Sequence, residues 1–166
     1  MNHACIVGPT RCGKSHLAKA IGGQLKDKGR LVFVLDPLGD AWPAHKTCRE
    51  PAEFLELAKA NREALLIIDE SSASIGRGND AKDMLWLPQR SRHWGHQCFF
   101  IMHRHSSVEP QVREMCDTLF LFGVYHDEAK YWAASFNDSA LLDAPNLEQY
   151  HFYKKTLYRP IEEMKT

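Results

Sequence analysis

Residues Gly8-Pro9-Thr10-Arg11-Cys12-Gly13-Lys14-Ser15 fit, at every fixed position, the pattern GxxxxGK followed by Ser or Thr. Glycines at this spacing let the backbone curl so that successive N–H groups point inward at a phosphate, and the helix that follows adds its positive end. Lys14 can then reach the β- and γ-phosphates while the Ser15 hydroxyl is a ligand for Mg2+. The pattern predicts an ATP site built from Gly8, Pro9, Thr10, Arg11, Cys12, Gly13, Lys14, Ser15 and the adjoining His16. Farther along, Leu65-Leu66-Ile67-Ile68 runs into Asp69-Glu70. Two carboxylates at the end of an apolar strand put Asp69 beside the metal, held through water, and leave Glu70 to orient or deprotonate a water that attacks the γ-phosphate. Alone, such a pair is often a solvated loop start. Joined to the phosphate cradle, it favours hydrolysis over phosphoryl transfer to a small molecule.

The elements that must carry these residues are legible as alternation. Five short apolar runs, Ala4–Val7, Leu31–Leu35, Leu65–Ile68, Cys98–Met102 and Leu119–Phe122, are apolar on both faces, as strands of a helix-covered parallel sheet are. Between them the pattern predicts helices at Lys14–Lys28, Pro51–Asn61, Ala81–His93, Pro110–Cys116 and Asp127–Ser135. This order is that of an α/β fold with right-handed crossovers. Gly29 reads as a helix stop, Glu50-Pro51 as a helix start, and Asn79 or Asp80 as a cap. After Pro145, the aromatic-rich stretch Tyr150–Tyr158 reads as a terminal hairpin that extends the sheet. Pro37–Glu50 and Ser71–Asp80 are the long stretches without a structural signal.

At 166 residues the chain is expected to be one domain, with a core over 3–136 and a C-terminal extension over 143–166. Lys plus Arg and Asp plus Glu each number 21, so a polyanion would have to meet a local patch rather than a broadly basic surface. No apolar run approaches the ~18 residues of a membrane span, and the opening apolar stretch runs straight into the glycine loop, so neither an anchor nor a signal peptide is expected. Five scattered cysteines without a CxxC pair fit a reduced, intracellular setting.

Beyond the phosphate loop the chain resembles the FtsK/HerA superfamily of P-loop ATPases over roughly residues 4–136. The stretch Leu31-Val32-Phe33-Val34-Leu35-Asp36-Pro37-Leu38-Gly39-Asp40 looks like that family's second strand and its Asp-Pro-x-Gly-acidic turn. The segment from Ser91-Arg92-His93-Trp94-Gly95 through Cys98-Phe99-Phe100-Ile101-Met102-His103-Arg104 is similar to its fourth strand, and Val112–Phe122 to the approach to its fifth. The resemblance implies a P-loop NTPase fold of the RecA-like additional-strand type. It also implies ring assemblies in which an arginine of one subunit completes the neighbour's site. Arg92 matches that arginine best, with Arg90, Arg77 and Arg104 as alternatives; a solvated surface guanidinium is the plainer reading of each. One position departs: the family's sensor glutamine is here His103, which can contact both γ-phosphate and water only in the right tautomer. Lys14, Glu70, His103 and Arg92 thus form the expected catalytic set, with Ser15 and Asp69 for the metal.

Three further features complete the reading. Histidines 93, 96, 103 and 105 have spacings seen in zinc sites but lack a completing ligand set. Ser71–Asp80, with Gly76, Arg77 and Gly78, is a candidate pore loop, and Trp42, Trp86 and Trp94 could stack on bases, although packing is the commoner fate of Trp. Without extra domains or an anchor, the chain looks most like the genome-packaging ATPases of tailless, membrane-containing icosahedral viruses. That resemblance implies a homo-oligomeric ring, double-stranded DNA as cargo, capsid or virion vertex proteins as partners, and a place in the host cytoplasm or on the virion. A small-molecule or nucleotide kinase and a slow ATP-dependent assembly switch are the alternatives.

Overall fold

The computed structural model describes residues 3–75 and 82–166. Its strands are β1 (His3–Val7), β2 (Val32–Leu35), β3 (Lys46–Cys48), β4 (Leu65–Ile68), β5 (Gln97–Met102), β6 (Cys116–Phe122), β7 (His151–Thr156) and β8 (Glu162–Lys165). Its helices are α1 (Lys14–Asp27), α2 (Pro51–Ala60), α3 (Ser71–Ser74), α4 (Trp86–Arg90), α5 (Pro110–Glu114) and α6 (His126–Ser135). The strands form one sheet in the order β3-β2-β4-β5-β1-β6-β7-β8. Pairings from β3 to β6 are parallel, and β7 and β8 are added antiparallel.

Alternation divides β1, β2, β4 and β5 between two cores. Ala4, Ile6, Val32, Val34, Leu65, Ile67, Phe99 and Ile101 pack with Leu17 and Ala18 of α1. Their neighbours Cys5, Val7, Phe33, Leu35, Leu66, Ile68, Phe100 and Met102 pack with Phe54 of α2 and Trp132 of α6. Both faces are therefore dry, the condition under which short, uniformly apolar strands pair in parallel. All parallel strands end at the same edge, which brings the segments after Val7, Ile68 and Met102 together.

The five apolar runs and the helices near Lys14, Pro51 and Asp127 are found where expected; a terminal hairpin extends the sheet, but only β7 falls within Tyr150–Tyr158, its partner β8 lying at Glu162–Lys165. Ala81–His93 is not one helix: among the described residues it is a 3-10 turn at Asp83–Leu85, then α4, then a 3-10 turn at Ser91–Trp94. Pro88 lacks the amide that a continuous helix through Ala81–His93 would need at that point, although the first turn of α4 tolerates it, and the Ser91 hydroxyl donates to the Leu87 carbonyl, competing with the next backbone bond. The helix predicted to reach Cys116 stops at Glu114, because Cys116 already pairs with His3 as the first residue of β6. Pro37–Glu50 contains β3, an edge strand too short and polar to give an apolar signal. Ser71–Ser74 is helical, and the cap expected at Asn79 or Asp80 lies outside the described residues. All five cysteines are buried and unpaired, and among the described residues no helix is long and apolar enough to cross a membrane.

Histidines extend the ladder where strands begin. The Nδ1 atoms of His3, His45 and His96 accept the backbone N–H groups of Cys98, Val32 and Ala64 at 3.0, 3.1 and 3.1 Å. His3 and His96 are fully buried. Burial, helped by the Arg92 charge, pushes His3 down to about 4, and burial lowers His96 as well. Between the ordinary histidine value of 6.5 and about 4, the unfolded chain therefore takes up a proton that folded His3 refuses. Stability falls as pH drops through that window, with His3 accounting for about 3 kcal/mol of the loss. Urea titrations from pH 7 to pH 4 should show this slope, and His3→Gln, which keeps an acceptor but cannot titrate, should flatten it. An equal slope in the variant would exclude His3 as its source.

Candidate active site

The phosphate loop leaves β1 at the carboxyl edge of the sheet. Gly8 donates its N–H to the Met102 carbonyl at 3.3 Å, which ties the loop to β5. A Cβ there would stand 2.7 Å from Cys12 Sγ and 2.8 Å from Phe122 Cβ, so only glycine lets the loop turn this close to β6. Arg11 and Gly13 both have positive φ, 61° and 112°, the local curl that turns amides into a concave anion cradle. Gly13 then caps α1, its carbonyl accepting the Leu17 N–H at 2.9 Å.

Lys14 is buried and folds back over the loop, donating from Nζ to the Pro9 carbonyl at 2.6 Å. Burial holds its ammonium below the usual lysine range, with nearby Glu70 and Asp69 among the groups opposing that shift. Asp69 continues β4, its N–H donating to the Leu35 carbonyl at 2.9 Å. Its Oδ2 accepts the Ser15 hydroxyl at 3.3 Å and its Oδ1 the Glu70 N–H at 3.0 Å. Burial pushes the Asp69 carboxyl above the ordinary carboxylate range. A hydroxyl and a desolvated carboxylate on one edge are hard oxygen donors, and a cation would repay the cost of burying that charge. These residues fit Mg2+.

Glu70 holds a left-handed backbone conformation, φ 48° and ψ 52°, a strained setting for a residue with a side chain. Its Oε1 lies 3.3 Å from His103 Nε2. Because a carboxylate can only accept, Nε2 carries the hydrogen. The structure thus joins Glu70 to His103, residues from the ends of β4 and β5.

Asp36, at the end of β2, is completely buried and accepts from the N–H groups of Leu38 and Asp40 and from Trp42 Nε1 at 2.9, 2.8 and 3.0 Å. Burial works to raise its carboxyl, but these donors outweigh it and hold the group low. The Asp-Pro-x-Gly-acidic turn is therefore a carboxylate-centred knot that positions Trp42, whose ring lies 4.9 Å from Lys19 Nζ. Trp86 and Trp94 pack edge to face at 5.3 Å, with the Arg62 guanidinium 3.4 Å above Trp94.

Arg92 is not brought to this edge. It precedes β5, so it sits at the opposite end of the sheet, donating to the Met115 carbonyl at 3.0 Å with Asp117 at 3.7 Å. Arg90 and His93 are exposed at that same end, and Arg104 is exposed just past His103. Arg77, Gly76 and Gly78 lie outside the described residues, as does the second half of the loop suggested to face a pore. The histidines 93, 96, 103 and 105 do not converge: the first two lie before β5 and the last two after it.

Two groups that sequence reading did not single out belong to the site's frame. Buried Glu128 accepts the His105 N–H at 2.6 Å, His105 Nδ1 at 2.8 Å and Trp132 Nε1 at 2.9 Å, and so fixes the segment that carries His103 to α6. In sequence it is one more acid in a helix's first turn. Gln149 and Tyr150 precede β7 and reach the phosphate loop, where Gln149 Nε2 donates to the Arg11 carbonyl at 3.2 Å. No local pattern marks them.

No family model and no curated relative matches the sequence, whereas solved structures share its fold along almost its whole length. The chain is similar to the genome-packaging NTPase of Sulfolobus turreted icosahedral virus 2 in complex with AMPPCP, with a TM-score of 0.81 at 18% identity over 99% of this chain and 97% of that one. It is similar to the DNA-packaging ATPase of Sulfolobus turreted icosahedral virus, with a TM-score of 0.80 at 21% identity over 99% and 97% of the two chains. The conjugation coupling protein TcpA with ATPγS has a TM-score of 0.73 at 15% identity, over 99% of this chain and 59% of that one. The fold, a mostly parallel sheet flanked by helices with the phosphate loop after its first strand, is that of P-loop NTPases.

Proposed function

We propose that this chain is an ATPase subunit of a homo-oligomeric ring that drives double-stranded DNA into a viral capsid. The observation that carries the ATPase reading is the convergence at one sheet edge of the Gly8–Ser15 cradle, the Ser15–Asp69 contact and the Glu70–His103 pair. The packaging reading is supported by the end-to-end likeness to two virus packaging enzymes, one of them holding an ATP analogue. The resemblance of the sequence to the same group supports it independently.

In this reading the loop amides take the β- and γ-phosphate oxygens, and Lys14 exchanges its bond to the Pro9 carbonyl for bonds to those phosphates. Ser15 and Asp69 would hold Mg2+, which when bound neutralises charge on the phosphate oxygens. Glu70 takes the proton of the water that attacks the γ-phosphorus; the bond to the bridging oxygen breaks, and ADP and phosphate leave. His103, its Nε2–H already on Glu70, orients that carboxylate and senses whether the γ-phosphate is present. Arg92, Arg90 and His93 lie at the far end of the sheet, out of reach of their own cradle, so any part they take in phosphoryl transfer is on a neighbouring subunit's nucleotide. Ring assembly is then a condition for full activity.

The purified protein is expected to hydrolyse ATP, to do so severalfold faster with double-stranded DNA, and to form rings with ATP and DNA in electron micrographs. A strictly monomeric protein whose ATPase ignores DNA would overturn the motor reading while leaving the ATPase reading in place. No hydrolysis in either condition would overturn both.

A further inference from the structure

We infer that the turn before β7 forms the nucleoside pocket of the triphosphate site, with Tyr150 as the face on which the base stacks; this rests on the nucleotide reading above. Direction decides the location. Asp69, Glu70 and His103 end β4 and β5, so the γ-phosphate end of a bound nucleotide points to that side of β1. The nucleoside must leave on the other side, toward β6 and β7. Because β7 is antiparallel, its first residues return to the catalytic edge, where Phe152 pairs with Phe122.

A cavity of about 410 Å³ runs there from the phosphate loop, lined by Arg11, Gly13, Lys14, Ser15 and His16 on one side and by Gln149 and Tyr150 on the other. A second opening, about 230 Å³, lies over Pro9 and Thr10 between His103 after β5 and Val124 and Tyr125 after β6, and does not include Tyr150. The Tyr150 ring lies beside the phosphate loop: a Cβ on Gly13 would be 3.3 Å from Tyr150 Cδ1. Its backbone has φ 68°, unusual for an aromatic residue, and the Thr166 N–H donating to the Tyr150 carbonyl at 3.0 Å holds it there. The residue nevertheless stays 44% exposed, an aromatic side chain open beside a phosphate cradle. Strain spent to keep a large apolar ring half in water has a use when a flat base covers it. Gln149 already donates to the Arg11 carbonyl, which fixes its amide as a polar edge beside the same space.

Stacking on a tyrosine predicts tighter binding of purine than of pyrimidine triphosphates, and a clean separation of nucleoside from phosphate contributions. Calorimetric titrations would compare a methylene analogue of ATP with inorganic tripolyphosphate, both with Mg2+, on the parent, Tyr150→Phe and Tyr150→Asn. Asparagine tolerates the left-handed backbone, so the second variant removes the ring without adding strain. Tyr150→Asn should weaken the ATP analogue about tenfold, leave tripolyphosphate unchanged, and be rescued by Tyr150→Phe. Equal weakening of both probes, or no weakening of the analogue, would overturn the inference. Tripolyphosphate binding the parent as tightly as the analogue would also overturn it, with the phosphate-loop reading intact; a parent that binds neither probe removes both.

Discussion

Glu70→Gln is expected to bind ATP as the parent does and to hydrolyse it on the order of 10³-fold more slowly. The substitution keeps length, shape and one carbonyl oxygen for His103 Nε2, which now lies 3.3 Å from Oε1. It removes only the ability to take a proton from water. The strained backbone at Glu70, φ 48°, does not depend on the carboxylate charge, so the turn into α3 should persist. Binding rests on Gly8–Ser15, which Glu70 does not contact. Single-turnover hydrolysis alongside equilibrium ATP binding separates these effects. Turnover at the parent's rate would remove Glu70 from the chemistry and leave the His103–Glu70 pair as a structural contact.

Lys14→Met should separate function from stability in the opposite sense. Lys14 is an ammonium with only 7% of its surface exposed, and it donates to one neutral carbonyl at 2.6 Å. Keeping a charge in such a place costs free energy, and burial accordingly lowers its affinity for the proton. Methionine fills a similar volume without that cost. The variant is therefore expected to melt at the parent's temperature or above it. Its affinity for ATP should fall about 100-fold, the equivalent of two charge-assisted bonds to phosphate at about 1.5 kcal/mol each. Thermal melts and ATP titrations on the same preparation test both halves. Parental affinity would show that Lys14 does not reach the phosphates, and a lower melting temperature would show that the Pro9 contact is structural.

How much of the site could be read in advance depended on how local each feature is. The curl of the Gly8–Ser15 loop was legible because its atoms belong to consecutive residues, although the positive φ of Arg11 has no glycine to announce it. The Asp69-Glu70 step was legible because an apolar run ending in two acids marks a strand's carboxyl edge. The helix through Ala81–His93 was misread because Pro88 and the Ser91 hydroxyl break a pattern that apolar spacing alone would continue. β3 was missed because an edge strand of three residues carries no apolar alternation. Trp42 was open to two readings until the carboxylate of Asp36 was seen to bind its indole.

The sequence by itself determined an α/β P-loop fold and marked Gly8–Ser15, Asp69 and Glu70 as the candidate site, since each is written within a few contiguous residues. Only the tertiary structure decided that His103 meets Glu70, that Arg92 stands at the opposite end of the sheet, and that Tyr150 closes the far side of the cradle. Those facts follow from strand order and strand direction. Strand order places β5 between β4 and β1, the antiparallel return of β7 brings residue 150 back to the catalytic edge, and no local run of residues encodes either.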